Sequence, residues 1–373
     1  MSTVKTNAII DASGGNTATI NSMTPTADSL QGFRNRLINS DMRIDQRNAG
    51  ASVTLTSGGL FPVDRFQGFE DTDGAMTAQQ DSSAPAGFIN SVKLTTTTAD
   101  GSLSASQYAL FRQMVEGTNV ADLAWGTASA KTVTLSFWVR SSLTGTFGGA
   151  LGNSAFNRSY PFTYSISVAD TWEYKTVTIA GDTSGTWLTT TGTGIRVNFG
   201  LGVGSDYNGT AGAWAGAGYL SATGATSVIG TLNATWYITG VQLEVGSVAT
   251  PFERRDYGRE LIMCQRYFQK IGFGSGNGVA GIAVRESSNT AGIGFALPVT
   301  LRTNPTMTVS GANRVWGAGG IITLASSIGS VSSNDSQTIT NVYFTQTATG
   351  IVTSEPYILY IDAGNSYLLS AEL

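Results

Sequence analysis

The sequence has no histidine and a single cysteine, Cys264. Without histidine the commonest general base and the commonest metal ligand are missing, so Ser-His-Asp, Cys-His and histidine–zinc chemistries are excluded. One cysteine excludes an intrachain disulfide and a thiolate cluster. Charge is also scarce: Asp, Glu, Lys and Arg make up 12% of the 373 residues, about half the quarter usual in globular domains. A net charge of −4 argues against nucleic acid as a partner, which would call for a basic patch. No stretch approaches the roughly 18 apolar residues of a membrane span. Residues 1–21 lack the apolar core of a secretion signal. These absences predict a soluble chain made in a cytoplasm, with no membrane insertion and no cofactor.

In their place stand 46 glycines, many Thr, Ser and Asn, and 10% aromatic residues. That is the composition of β-sheet with frequent turns. Val133, Leu135, Phe137 and Val139 alternate with Thr134, Ser136 and Trp138, which predicts a strand with one buried face. Tyr164–Val168, Tyr174–Ile179 and Ile195–Phe199 follow, and Leu37-Ile38 and Phe61–Phe69 are earlier candidates. Trp236, Ile238, Val241, Leu243 and Val245 form a closing strand with a break in phase at Gly240. After a turn at Gly246–Pro251, Tyr257, Leu261, Cys264 and Phe268 recur at helical spacing. Strand patterns return at Val279–Val284, Ile293–Leu297, Thr306–Val309, Ile321–Leu324, Thr338–Phe344 and Tyr357–Asp362. The expected class is mainly β. Residues 1–32 are a short polar N-terminal segment, 33–250 a jelly-roll β-sandwich, 251–271 a linking helix and 272–373 a small C-terminal β-domain. Residues 200–232 read as a long loop or insertion.

Few residues carry recognisable chemistry. Gly272, Gly274, Gly276 and Gly278 alternate, but no strand–turn–helix unit follows to make a phosphate loop. Asp64, Glu70, Asp71 and Asp73 cluster, as do Asp41 and Asp45. Their spacing fits no calcium loop, though a structural calcium is compatible with them. Partners for Arg43, Arg47 and Arg65 are the plainer reading. The aromatics are more telling. Trp214 lies in the small-residue stretch TAGAWAGAGYL with Tyr207 and Tyr219 nearby, and Asp206 and Asn208 supply polar groups. Trp138 lies opposite the buried face of its strand. An aromatic ring can stack on the C–H face of a sugar within such a polar rim, so these six residues are candidate glycan contacts. The alternatives are that Trp138 packs the second face of its sheet and that Trp214 plugs a subunit contact.

Three ordered stretches carry a family resemblance. They are NAIIDASGGNTATINSMTPTADSLQGFRNRLINSDMRIDQRNAGASVT at 7–54 with PVDRF at 62–66; LSFWVRSSLTGTF at 135–147 with TWEYKTVTIAGDTSGTW at 171–187; and WYITGVQLEVGSVATPFERRDYGRELIMCQRYFQK at 236–270 with LPVTLRTNPTMTVS at 297–310. Together they resemble bacteriophage tail fibre, or receptor-binding fibre, proteins that carry a carbohydrate-binding-module-like jelly roll. The resemblance implies a virion protein, generally a homotrimer, whose N-terminal segment (Ile9, Ile10, Ile20, Met23) anchors to other virion proteins and whose other parts bind a host surface polysaccharide. In a trimer, Leu261, Cys264 and Phe268 are expected at the axis or against the sandwich. The absence of catalytic sets favours a non-enzymatic fibre. A head fibre, collar or decoration protein is the first alternative, and a polysaccharide depolymerase the second.

Overall fold

The computed structural model describes residues 33–272, 276–287, 289–311, 313–317, 320–333, 339–348 and 356–373. The expected anchoring residues Ile9, Ile10, Ile20 and Met23 lie outside them. The chain forms two compact units. One comprises residues up to Met42, Thr54–Leu60 and Gly68–Arg254; the other comprises Arg43–Val53, Phe61–Gln67 and Arg255–Leu373.

The strands of the first part of the chain are β1 (Val53–Thr54), β2 (Leu60–Val63), β3 (Phe66–Asp71), β4 (Ala75–Asp81), β5 (Ser91–Thr98), β6 (Tyr108–Glu116), β7 (Val133–Ser141), β8 (Gly145–Gly152), β9 (Ser159–Ile166), β10 (Glu173–Ile179), β11 (Thr193–Val203), β12 (Asn208–Gly209), β13 (Ser221–Ala222) and β14 (Thr235–Val245). They build two six-stranded sheets, ordered β1-β4-β5-β14-β7-β10 and β2-β3-β6-β11-β8-β9, with β12 and β13 as a separate pair. Successive strands repeatedly switch from one sheet to the other, the wrapping of a jelly-roll β-sandwich. The core lies where the inner faces meet. Val133, Leu135, Phe137 and Val139 are fully buried there with Phe111, Phe199 and Trp236. The phase break read at Gly240 is a bulge in the β14–β7 register between Thr239 and Gln242. Gly240 takes φ +61°, and the bulge lets Trp236, Ile238, Val241 and Leu243 all turn inward.

Three expected elements take another form. Leu37-Ile38 is buried but is no strand. The Leu37 and Ile38 N–H groups donate to Asn35 Oδ1 and Gln113 Oε1, and side chains thereby replace a ladder. Phe61–Phe69 is two strands, divided at Arg65 with φ +70°. Residues 200–232 hold the end of β11 and the β12–β13 pair, with Val228 and Ile229 in the core.

The second unit contains the helix α1 (Tyr257–Gln265) and the strands β15 (Phe268–Gly272), β16 (Gly278–Ser287), β17 (Thr290–Leu301), β18 (Thr306–Ser310), β19 (Arg314–Gly317), β20 (Gly320–Ser333), β21 (Ile339–Ala348), β22 (Tyr357–Ile361) and β23 (Ser366–Ser370). Six of these strands close a barrel in the order β16-β17-β21-β20-β19-β22, and β15-β23-β18 form a three-stranded sheet. The helix is shorter than the 251–271 expected. Asp256 caps it by accepting from the Arg259 N–H at 2.9 Å. Beyond it, Phe268–Gly272 pairs with β23 as a strand. Cys264 and Phe268 are already buried within one chain, whereas Leu261 is half-buried. Of the three expected trimer contacts, only Leu261 therefore keeps accessible surface.

Buried ion pairs link the separate segments of this unit. Arg47 bridges Asp64 at 3.1 Å and Glu372 at 3.0 Å, and Arg65 also pairs with Glu372. The Arg47 and Arg65 guanidiniums lie 3.6 Å and 3.5 Å from the ring centroids of Phe268 and Tyr267. Burial pushes the Asp64 carboxyl from 3.8 up to about 6, outweighing the pull of Arg47. Burial likewise raises the Cys264 thiol well above its ordinary value.

Candidate functional site

The outer face of the first sheet carries an open groove of about 500 Å³, within the roughly 300–1,000 Å³ of ligand pockets. Its floor is a cross-strand pair: Tyr174 on β10 stands directly opposite Trp138 on β7. The ring centroids are 5.4 Å apart, tilted by 48°. Alternation puts both rings outside because Phe137 and Val139 point inward. Trp138 is half-buried, and Tyr174 is 43% exposed. Burial raises the Tyr174 phenol above its ordinary value, and a hydrogen bond with Ser136 opposes the rise.

One wall is the edge-on pair Phe88–Phe252, with centroids 5.1 Å apart. The exposed Arg254 guanidinium sits 4.8 Å from the centroid of Phe88. Glycine is required at the seam of this wall. A Cβ on Gly240 would lie 2.6 Å from Phe88 Cζ and 3.2 Å from Trp138 Cδ1. The other lining comes from Ala249–Phe252, which folds back along the sheet. Glu253 N–H donates to Gln242 Oε1 at 2.7 Å, Thr250 N–H donates to Glu244 Oε1 at 2.8 Å, and Gln242 Nε2 donates to the Thr250 carbonyl at 3.2 Å. These bonds satisfy the buried side chains of Gln242 and Glu244 and fix the backbone that carries Phe252. The groove thus offers aromatic faces with hydroxyl, carbonyl and guanidinium groups around them. That suits a ring with apolar C–H faces and polar edges.

The other sequence candidates lie elsewhere and serve different ends. Trp214 is not isolated: Trp125, Trp187 and Tyr160 surround it edge-on at centroid distances of 5.3, 5.4 and 5.3 Å. Each of the three indole N–H groups donates to a backbone carbonyl, of Lys131, Ser184 and Ala180. The cluster ties three distant loops together, a role invisible in the small residues flanking Trp214. Asn208 is also engaged locally, donating to the Val203 and Gly204 carbonyls and accepting from Thr223. Tyr219 packs on Gly209, where a Cβ would lie 2.2 Å from Cδ2. Tyr207 meets Tyr108 edge-on at 5.5 Å, and Asp206 is exposed. Of the six candidates, only Trp138 belongs to the groove.

Phe88, Tyr174, Phe252 and Arg254 were missed by sequence reasoning. Tyr174 was recoverable, since it alternates with Lys175, Val177 and Ile179 on a clear strand. Nothing local in Phe88 or Phe252 announces their pairing across 164 positions.

Three of the clustered carboxylates have structural partners. Asp64 accepts from Gln46 and Arg47, Asp45 from the N–H groups of Arg47, Asn48 and Gly50, and Glu70 from Thr72. Among the described residues, no group of three or more His, Cys, Asp or Glu is placed to hold a metal ion. No described helix is long and apolar enough to cross a membrane.

No family model and no curated protein matches the sequence. Solved structures with similarity include an enzymatically active domain of tailspike protein 4 from bacteriophage CBA120, at 11% identity and a TM-score of 0.31 over 58% of this chain. The match spans only 22% of that tailspike chain. Another is the family 11 carbohydrate-binding module from Clostridium thermocellum, in complex with a β-1,3-1,4-mixed-linked tetrasaccharide, at 10% identity and a TM-score of 0.28 over 53% of this chain and 98% of that one. A third, TmCBM61 in complex with β-1,4-galactotriose, matches at 9% identity and a TM-score of 0.24 over 57% of this chain and 99% of that one.

Proposed function

We propose that this chain is a bacteriophage tail fibre protein that binds a host surface glycan through the groove at Trp138 and Tyr174, without cleaving it. The observation that carries the binding reading is the groove itself: two partly accessible rings side by side on a rigid sheet, a second aromatic pair as wall, and polar groups at the edge. Stacking on such a floor is sequence-tolerant and weak per site. Several copies on one particle, as in the homotrimer implied by resemblance to fibre proteins, multiply it into firm adsorption. The virion assignment and the anchoring of residues 1–32 to other virion proteins rest on the three ordered stretches of that resemblance.

Glycan-array binding by the purified chain, compared with Trp138→Ala and Tyr174→Ala, tests the proposal. Removal of one stacking ring is expected to weaken binding about 10-fold, the factor equivalent to about 1.4 kcal/mol. Undiminished binding by both folded variants overturns the groove as the site, and shortening of the bound polysaccharide by the wild-type chain overturns the non-enzymatic reading.

A further inference from the structure

The outer face of the second sheet holds another concavity, separate from the Trp138 groove. It measures about 160 Å³ and is lined by Tyr108, Arg112, Phe156, Arg196, Tyr207 and Leu220. Strand pairing brings its two arginines together. In the antiparallel β6–β11 register Arg112 faces Asn198 and Arg196 faces Met114, so the arginines emerge on one face as diagonal neighbours. Each guanidinium rests near a ring: Arg112 Cζ is 4.1 Å from the centroid of Phe69, and Arg196 Cζ is 5.5 Å from that of Phe156. Phe156 is held in a left-handed conformation at φ +56°. It packs so closely on Gly218 that a Cβ there would lie 2.4 Å from its Cδ1.

Burial disfavours the charge on both guanidiniums of the cavity. Burial, and then the charge of Arg196, lower the Arg112 guanidinium to about 10, with Tyr108 acting in the opposite direction. Burial lowers Arg196 as well. Arg196 Nη2 donates to the Ser154 carbonyl at 2.9 Å, while its buried Nε has no acceptor among the described residues. Asp71 acts on Tyr108, whose phenol is raised chiefly by burial.

We propose that this cavity binds an oxyanion, a carboxylate or phosphate carried on a sugar unit, between the guanidiniums of Arg112 and Arg196. An oxyanion offsets the mutual repulsion of the two cations. Charge-assisted bonds to a guanidinium are among the stronger hydrogen bonds. The edge-on pair Tyr108–Tyr207 provides an apolar wall for the atoms that carry the charge. A volume below the roughly 300 Å³ at which ligand pockets usually begin admits one terminal or pendant group rather than a length of chain. A neutral sugar leaves the two like charges facing each other.

Titration of the full chain with glucuronate, inorganic phosphate and glucose at matched ionic strength tests this, read by calorimetry and by the arginine side-chain Nε–H resonances. Saturable binding of glucuronate or phosphate is expected, with both Arg112 and Arg196 resonances moving and affinity falling at least 10-fold in Arg196→Gln. The tighter of the two anions identifies the source. If neither anion binds saturably, if the wild-type resonances of both arginines stay in place, or if glucose binds as well as the anions, the proposal fails. The resonance readout needs no variant and decides the question even where Arg196→Gln does not fold.

Discussion

Gly240 joins the packing of the sheet to the shape of the groove in one position. Its φ of +61° and its approach to Phe88 and Trp138 leave no room for a Cβ. Gly240→Ala is expected to cost about 1–2 kcal/mol from the left-handed backbone alone and to displace the Phe88 wall. Urea denaturation measures the first effect, and glycan affinity the second. The sequence marked this residue as a break in alternation; the bulge it makes and the ring it admits depend on Phe88, far away in the chain. Asp64 shows a different limit on inference. From sequence it is one of several acidic residues near a turn; in the fold it is buried, with its carboxyl raised from 3.8 to about 6. The folded protein holds this proton more tightly than the unfolded chain. The associated stability is fully present below about pH 4 and is lost as pH rises through about 6, a change of about 3 kcal/mol. Thermal melts between pH 4 and 7 should therefore fall for the wild-type chain relative to Asp64→Asn, and parallel profiles would refute the assignment.

Strands were the elements most readily inferred. Val133–Val139 and the strand patterns after residue 278 match observed strands over their described residues, Thr338 lying outside these, because alternation reports directly on a half-buried sheet face. The helix was overextended because Cys264 and Phe268 are four apart, a spacing that a helix shares by chance with a helix end followed by a strand. Its true limits come from the Asp256 cap and from the pairing of Phe268–Gly272 with Ser366–Ser370, about 100 residues later. Just past that last strand, Glu372 faces Arg47 and the nearly inaccessible Arg65. Glu372→Gln removes a carboxylate from beside the buried Arg65 guanidinium and should cost about 3–5 kcal/mol, measurable as a lower denaturation midpoint. A change under about 0.5 kcal/mol would mean that water replaces the pair.

Strand spacing pointed to a β-sandwich, which the two six-stranded sheets fit, but it gave no warning of how the chain is divided. The compact units part at Arg254–Arg255. Yet the second unit also takes Arg43–Val53 and Phe61–Gln67 from far upstream. Local patterns cannot report such borrowing, since Arg47, Asp64 and Arg65 look like ordinary turn residues until Glu372 and the rings of Tyr267 and Phe268 are beside them. The isolated segment 255–373 is consequently expected to lack a cooperative melt that the full chain displays. A sharp melt of that segment at the full chain's temperature would overturn this dependence.

Cys264 turns this arrangement into a clock. It is the chain's one thiol, fully enclosed and held protonated, so a thiol reagent can reach it only while the second unit is open. The labelling rate under native conditions then counts openings of that unit alone, and its slowing or quickening when the chain binds a ligand measures how strongly the event clamps or loosens the fold.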